Sequence, residues 1–119
     1  MANVNLKRFE AALKARAREL GRSVAQRGQI AVQRSSDEFD NALLAAERES
    51  GARTLERDVE LLHQVEAALV RLREGGYGVC LSCDEAIAPQ RLAAVPWAAY
   101  CLACQTRAEA RGVFRAATA

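Results

Sequence analysis

A chain of 119 residues, 27% of them charged and 5% aromatic, with a net charge of +2, is the size of one small domain and builds only a modest core by itself. No apolar run is long enough to cross a bilayer, and the N-terminus lacks the apolar centre of a secretory signal, so membrane-spanning and exported classes are excluded and a cytoplasmic protein is expected. With proline only at Pro89 and Pro96, and with abundant Ala and Arg, the composition favours long helices.

Residues 5–33 read as the first helix. Leu6, Leu13, Ala17, Leu20, Val24 and Ala31 recur at steps of three, four or seven with Phe9 alongside, one apolar stripe flanked by arginines. Gly21 and Gly28 weaken this helix without ending it. The pattern stops at Gln33-Arg34-Ser35-Ser36-Asp37, whose Ser and Asp oxygens suit a helix cap.

A second periodic segment starts at Asp37 or Asp40 and runs to Glu74. Leu44, Gly51, Leu55, Leu62, Val65, Leu69 and Leu72 alternate by fours and threes, Asp58 fills one core slot, and Gly75-Gly76 supplies the stop. At 1.5 Å per residue this helix is roughly 50 Å long. The two stripes predict an antiparallel coiled-coil hairpin over 1–74 with its tip near 34–42, and His63 is expected on its surface.

The small net charge conceals an asymmetry. Lys7, Arg8, Lys14, Arg16, Arg18, Arg22, Arg27 and Arg34 face only Glu10 and Glu19 in the first segment, whereas acids outnumber arginines between 35 and 74. Opposite signs suit the flanks of a helical hairpin, and a basic helix also suits nucleic acid; the hairpin reading is preferred. At the tip, Asp37-Glu38-Phe39-Asp40-Asn41-Ala42 sets three carboxylates beside a phenylalanine. A helix N-terminus needs one such cap, so the surplus leaves open both a capping role and a contact surface.

All four cysteines follow, as Cys80-x-x-Cys83 and, after seventeen residues, Cys101-x-x-Cys104. That spacing is the pattern of a four-thiolate zinc site, with Gly76, Gly78, Ser82 and Asp84 letting the first knuckle curl. Four Cys ligands leave no open position for water, so one structural Zn²⁺ is expected and hydrolysis is not. Disulfides or a redox Cys-x-x-Cys compete, without an export signal or βαβ pattern to favour them. Residues 75–119 therefore read as a zinc-finger domain with a C-terminal helix over about 103–116. A turn and short strand fill 84–89, a connector fills 91–97, and Ile87, Leu92, Trp97, Tyr100, Leu102 and Val79 form a small core packed on Leu69, Leu72 and the first helix.

Asp37, Asp40 and Ala42, a long helix, Gly-Tyr-Gly-x-Cys-x-x-Cys, Ile87, Arg91-Leu92, Pro96 and Cys101-x-x-Cys104 together resemble the DksA/TraR family of RNA-polymerase-binding transcription factors, over residues from about 35 to 111. The resemblance implies a bacterial monomer that catalyses nothing and binds RNA polymerase rather than a DNA sequence. Its zinc domain would dock at the rim of the secondary channel, with Asp37, Asp40 and Ala42 reaching toward the active centre. It also aligns Arg57, Leu61, Gln64, Val95 and Gln105 with the family's site for guanosine tetraphosphate, and leaves Arg91 to contact the polymerase. Three of those five are uncharged where the family offers basic side chains, which implies weak or no dependence on the alarmone. The rival functions are a zinc-ribbon nucleic-acid binder, using the basic helix with Arg91, Arg107, Arg111 and Arg115, and a structural coiled-coil adaptor for another protein.

Overall fold

The computed structural model describes residues 5–35 and 42–112, and side chains for 5–29 and 46–112. Two long helices, α1 (Leu6–Ser35) and α2 (Ala42–Glu74), lie against each other, followed by α3 (Pro89–Ala94) and α4 (Leu102–Ala110). Among the described residues strand pairing is limited to one antiparallel bridge between Val79 and Ala86, so the short strand expected over 84–89 is reduced to that bridge. The fold is mostly helical, as the stripes predict.

The seam forms where the apolar periodicity places it. Leu13 and Leu20 of α1 and Val65 and Ala68 of α2 are buried, with Phe9, Ala17, Leu61, Leu62, Leu69 and Leu72 partly buried around them. Asp58, the acid in a core slot, is answered across the seam: Ser23 Oγ donates to Asp58 Oδ2 at 2.9 Å, and Arg27 Nε lies 3.4 Å from the same oxygen. Elsewhere Lys14, Arg16 and Arg53 pair with Glu10, Glu19 and Glu49 of their own helices. The charge complementarity expected between the helices is therefore met at Arg27–Asp58, while these other pairs are local, exposed and worth little.

Gly75 ends α2 at φ +86°, and the Gly76 N–H reaches back to the Arg71 carbonyl at 2.8 Å, which closes the last turn. The stretch expected as a connector holds α3 instead. Pro89 occupies its first turn, where a missing N–H costs nothing and the fixed φ suits a helix. α4 begins one residue earlier than expected and stops at Ala110, because Gly112 turns left-handed at φ +73° with its N–H on the Glu109 carbonyl at 3.0 Å. The rest of the expected terminal helix, from residue 113, lies outside the described residues.

One core joins the hairpin base to the cysteine module. Tyr77, Cys80, Ile87, Leu92, Ala98 and Cys104 are buried with the seam residues, and Trp97 and Tyr100 pack against them. Leu102 does not join them: it is 66% exposed, and Val79 is only half-buried. The inward face of α4 carries Cys104, Gln105 and Ala108 in line with Cys101, and Leu102 stands about 100° away from Cys101 around the axis.

Candidate metal centre

Backbone geometry builds the first knuckle. Gly78 lies at φ +86° and its carbonyl accepts the Ile87 N–H at 2.8 Å, which folds the segment after Cys83 back over the segment before Cys80. The Cys80 N–H bonds to the Glu85 carbonyl at 2.8 Å, and the Asp84 N–H bonds to the Cys80 carbonyl at 3.0 Å. Asp84 sits at φ +63°, a left-handed position that Asp tolerates better than most residues. The second knuckle is the start of α4, where Cys101 caps the helix and its Sγ accepts the Cys104 N–H at 3.5 Å. The Leu81 N–H donates to the Ala99 carbonyl at 2.9 Å and laces the knuckles together.

These bonds bring the four sulfurs of Cys80, Cys83, Cys101 and Cys104 within 4.8 Å of one another. A tetrahedron with metal–sulfur bonds of about 2.3 Å has edges of about 3.8 Å. Cys83 Sγ and Cys101 Sγ are 3.8 Å apart. Backbone N–H groups already point at two sulfurs, Ser82 at Cys80 (3.4 Å) and Cys104 at Cys101 (3.5 Å), the arrangement that stabilises thiolate. The donor set is that of one closed, structural zinc, with every ligand position filled by protein.

The sulfurs' acidities show why a dication belongs there. Burial raises the Cys80 thiol, but N–H bonds from Cys101, Cys83 and Ser82 and the Cys83 side chain outweigh it and bring it to about 6. The Glu85 backbone pulls Cys83 down, yet desolvation and bonds to the Cys80, Cys104 and Cys101 thiols carry it to about 12. Cys104 is raised chiefly by its bond to Cys101. One thiolate at this spacing resists its neighbours' ionisation, and all four ionise together only around a cation.

The module is bolted to the arm by Phe9 and Trp97, expected in the packing there, together with Tyr77 and Arg71, for which the sequence suggested no such contact. The Phe9 ring from α1 packs on Tyr77, whose hydroxyl donates to the Pro96 carbonyl at 2.7 Å. Arg71 Nη2 of α2 donates to the Trp97 carbonyl at 3.3 Å. An aromatic between two glycines, beside a metal ligand and at the end of a helix, is the pattern in the sequence that marks Tyr77 as such a joint.

Of the remaining candidate residues, Asp37 and Asp40 lie outside the described residues, and Ala42 opens α2 with its side chain also outside them. Arg57 is exposed, Leu61 is half-buried in the seam one turn on, and Gln64 is half-buried. Val95 packs against the core. Gln105 is 4% exposed and its Nε2 donates to Glu109 Oε2 at 3.0 Å. Arg91, expected at a partner surface, directs its Nε inward to the Tyr100 carbonyl at 2.9 Å, where it braces the approach to Cys101.

A four-thiolate zinc knot at the foot of an antiparallel helical hairpin defines a zinc-finger protein with a coiled-coil arm. Residues 75–110 match the family described as "Prokaryotic dksA/traR C4-type zinc finger". The structure is similar to that of the transcription factor DksA2 from Pseudomonas aeruginosa, with a TM-score of 0.77 and 29% identity over 96% of this chain and 90% of that one. The RNA polymerase-binding transcription factor DksA of Haemophilus influenzae is 36% identical over 93 residues, 78% of this chain and 63% of that protein. General stress protein 16O of Bacillus subtilis is 36% identical over 70 residues, 59% of this chain and 43% of that protein. Residues 75–110 carry that family's zinc finger, and the chain as a whole is similar to DksA proteins. It spans less than two thirds of the curated relatives it matches, with coverage of 36%, 50% and 63% among three of them.

Proposed function

We propose that this chain is a cytoplasmic, monomeric, non-enzymatic transcription regulator that binds RNA polymerase at its secondary channel. The observation that carries this reading is the likeness to DksA2 over both the arm and the zinc module, 96% of the chain. The physics of the base supports it. A zinc knot fixed to the arm through Phe9–Tyr77 and Arg71–Trp97 makes a rigid foot from which a helix of roughly 50 Å projects. In sequence, Asp37 and Asp40 come between Ser35, the end of α1, and Ala42, the first residue of α2. In this proposal they act by charge near the catalytic Mg²⁺ or among the basic residues of the polymerase active centre.

Response to guanosine tetraphosphate is weak or absent in the same reading. Gln64 and Val95 bring no charge to the alarmone, and Gln105 is buried and engaged with Glu109. Arg57 alone is a poor polyphosphate site. Direct recognition of a DNA sequence has no part in it.

The experiment pairs a polymerase pull-down with in vitro transcription for Asp37→Asn with Asp40→Asn. Retained binding, within about tenfold, with loss of the transcriptional effect is the expected result. Binding lost in step with activity makes the carboxylates an anchor, and a chain that recovers no polymerase subunits overturns the reading in favour of an adaptor for another protein.

A further inference from the structure

The outward face of α1 carries a line of cations that the fold leaves unused. Lys7, Lys14, Arg18 and Arg22 follow one another at steps of seven, four and four, which places them on one side of the helix, with Arg8 at its edge. All five are exposed, and they extend over roughly 22 Å of axis. Lys14 lies 3.8 Å from Glu10 in an exposed pair, a contact that leaves its charge available. Lys7, Arg8, Arg18 and Arg22 have no ion-pair partner among the described residues.

Their placement is not what helix stability selects. The first turn of α1 holds no acid and carries Lys7 and Arg8, at the helix end where positive charge is disfavoured. Nor does the neighbouring helix neutralise them. Exposed Glu56, Glu60 and Glu74 of α2 are interleaved with exposed Arg53, Arg57 and Arg73, so α2 carries mixed charge where this face of α1 is cationic.

The side chains between the cations decide what the flank fits. Ala11, Ala15 and Ala25 share the face and are exposed, and among the described side chains from Lys7 to Ala25 nothing on it is larger and apolar. Protein interfaces draw their affinity from buried aromatic or aliphatic anchors, and this face has none. Phe9, the one aromatic in the sequence of α1, is turned to Tyr77, so this helix offers none for base stacking. What remains is charge on long side chains, including guanidinium forks that match phosphate oxygens. We propose that this face of α1 is a sequence-independent contact for the phosphate backbone of a nucleic acid, carried by Lys7, Arg8, Arg18 and Arg22 with Lys14. It is separate from the polymerase reading and stands or falls without it.

The test is fluorescence anisotropy of the zinc-loaded chain with two labelled DNA duplexes of unrelated sequence, in NaCl from 25 to 200 mM. Both duplexes should bind alike, with log K falling against log salt at a slope of about −4, as four to five neutralised phosphates require. Lys7→Gln with Arg18→Gln and Arg22→Gln should make the slope shallower by about three, and Lys7→Arg should leave it unchanged. Glutamine keeps helix propensity, and circular dichroism with zinc content verifies that the variant is folded. Absence of binding at 25 mM salt, or an unaltered slope in the triple variant, would overturn the proposal. So would loss on Arg107→Gln with Arg111→Gln alone. A triple variant that loses purified polymerase while the wild-type chain ignores both duplexes also overturns it, and assigns the flank to an acidic protein surface.

Discussion

The Phe9 and Tyr77 rings lie with centroids 5.6 Å apart and planes inclined at 43°, so the first turn of the arm and the loop entering the metal site are one packing unit. Such tilted aromatic pairs contribute about 0.5–1.5 kcal/mol beyond the area they bury. Phe9 is only half-buried, so Phe9→Ala should cost about 2–3 kcal/mol, below the full core value. Tyr77→Phe, which strands the Pro96 carbonyl, should cost about 1–2 kcal/mol. Denaturant unfolding followed by Trp97 fluorescence measures both, and costs below about 0.5 kcal/mol would show that foot and arm are not coupled. Burial lifts the Tyr77 hydroxyl to about 12 against the lowering influence of Arg71. Its contribution is thus intact below pH 10 and declines only as pH rises from 10 toward 12.

Zinc affinity should rise steeply with pH. Near neutrality Cys80, brought to about 6, is already largely ionised in the metal-free site, whereas Cys83, at about 12, and Cys104, raised likewise, hold protons that the metal must displace. Release of at least two protons gives a gain of about two log units in affinity per pH unit between 7 and 8. Competition with a chromophoric chelator at two pH values tests this, and a flat profile would refute it.

Removing the metal should unfold more than the knuckles. Cys80 and Cys104 belong to the same buried cluster as Leu13, Leu92 and Tyr77, so stripping zinc exposes the hairpin base as well. Apparent zinc binding energies in small four-ligand modules are about 10–16 kcal/mol at neutral pH, comparable to or above the stability of a whole domain. Chelation should lower helicity and shift Trp97 emission together, and unchanged emission would mean that the core stands without the metal.

Asp58 is expected to select register more than to stabilise. Its side chain is 21% exposed and shared between Ser23 and Arg27, so Asp58→Leu should leave stability equal or raise it by about 1 kcal/mol. The cost should appear as loss of uniqueness, since an apolar seam tolerates sliding and association that a half-buried carboxylate with fixed partners forbids. Analytical ultracentrifugation with thermal melts distinguishes the two, and a strictly monomeric Asp58→Leu with lower stability would contradict it.

Guanosine tetraphosphate should change transcription no more with the chain than without it. Gln64→Lys with Val95→Arg should create a response, because each charge-assisted bond to phosphate is worth about 1.5–3 kcal/mol. Gln105→Lys should instead destabilise, since that side chain is buried beside Glu109. A strong alarmone effect on the unmodified chain would place the site elsewhere.

Local chemistry made the metal site and the arm legible in the sequence. Two thiols three residues apart can converge on one ion wherever the chain turns, apolar residues at helical spacing demand a partner stripe, and Gly75-Gly76 ends a helix through its own dihedral freedom. Folding in three dimensions decided the rest. Leu102 looks like core by composition, but the metal ligands Cys101 and Cys104 orient α4 and leave it in solvent. The Arg91 Nε bond to the Tyr100 carbonyl, and the Ser23 hydroxyl that answers Asp58 in its core slot, are contacts that no spacing in the sequence announces. The division follows from range: spacing and dihedral preference act over a few residues, whereas Phe9 meets Tyr77, and Ser23 meets Asp58, only after the whole hairpin has closed between them.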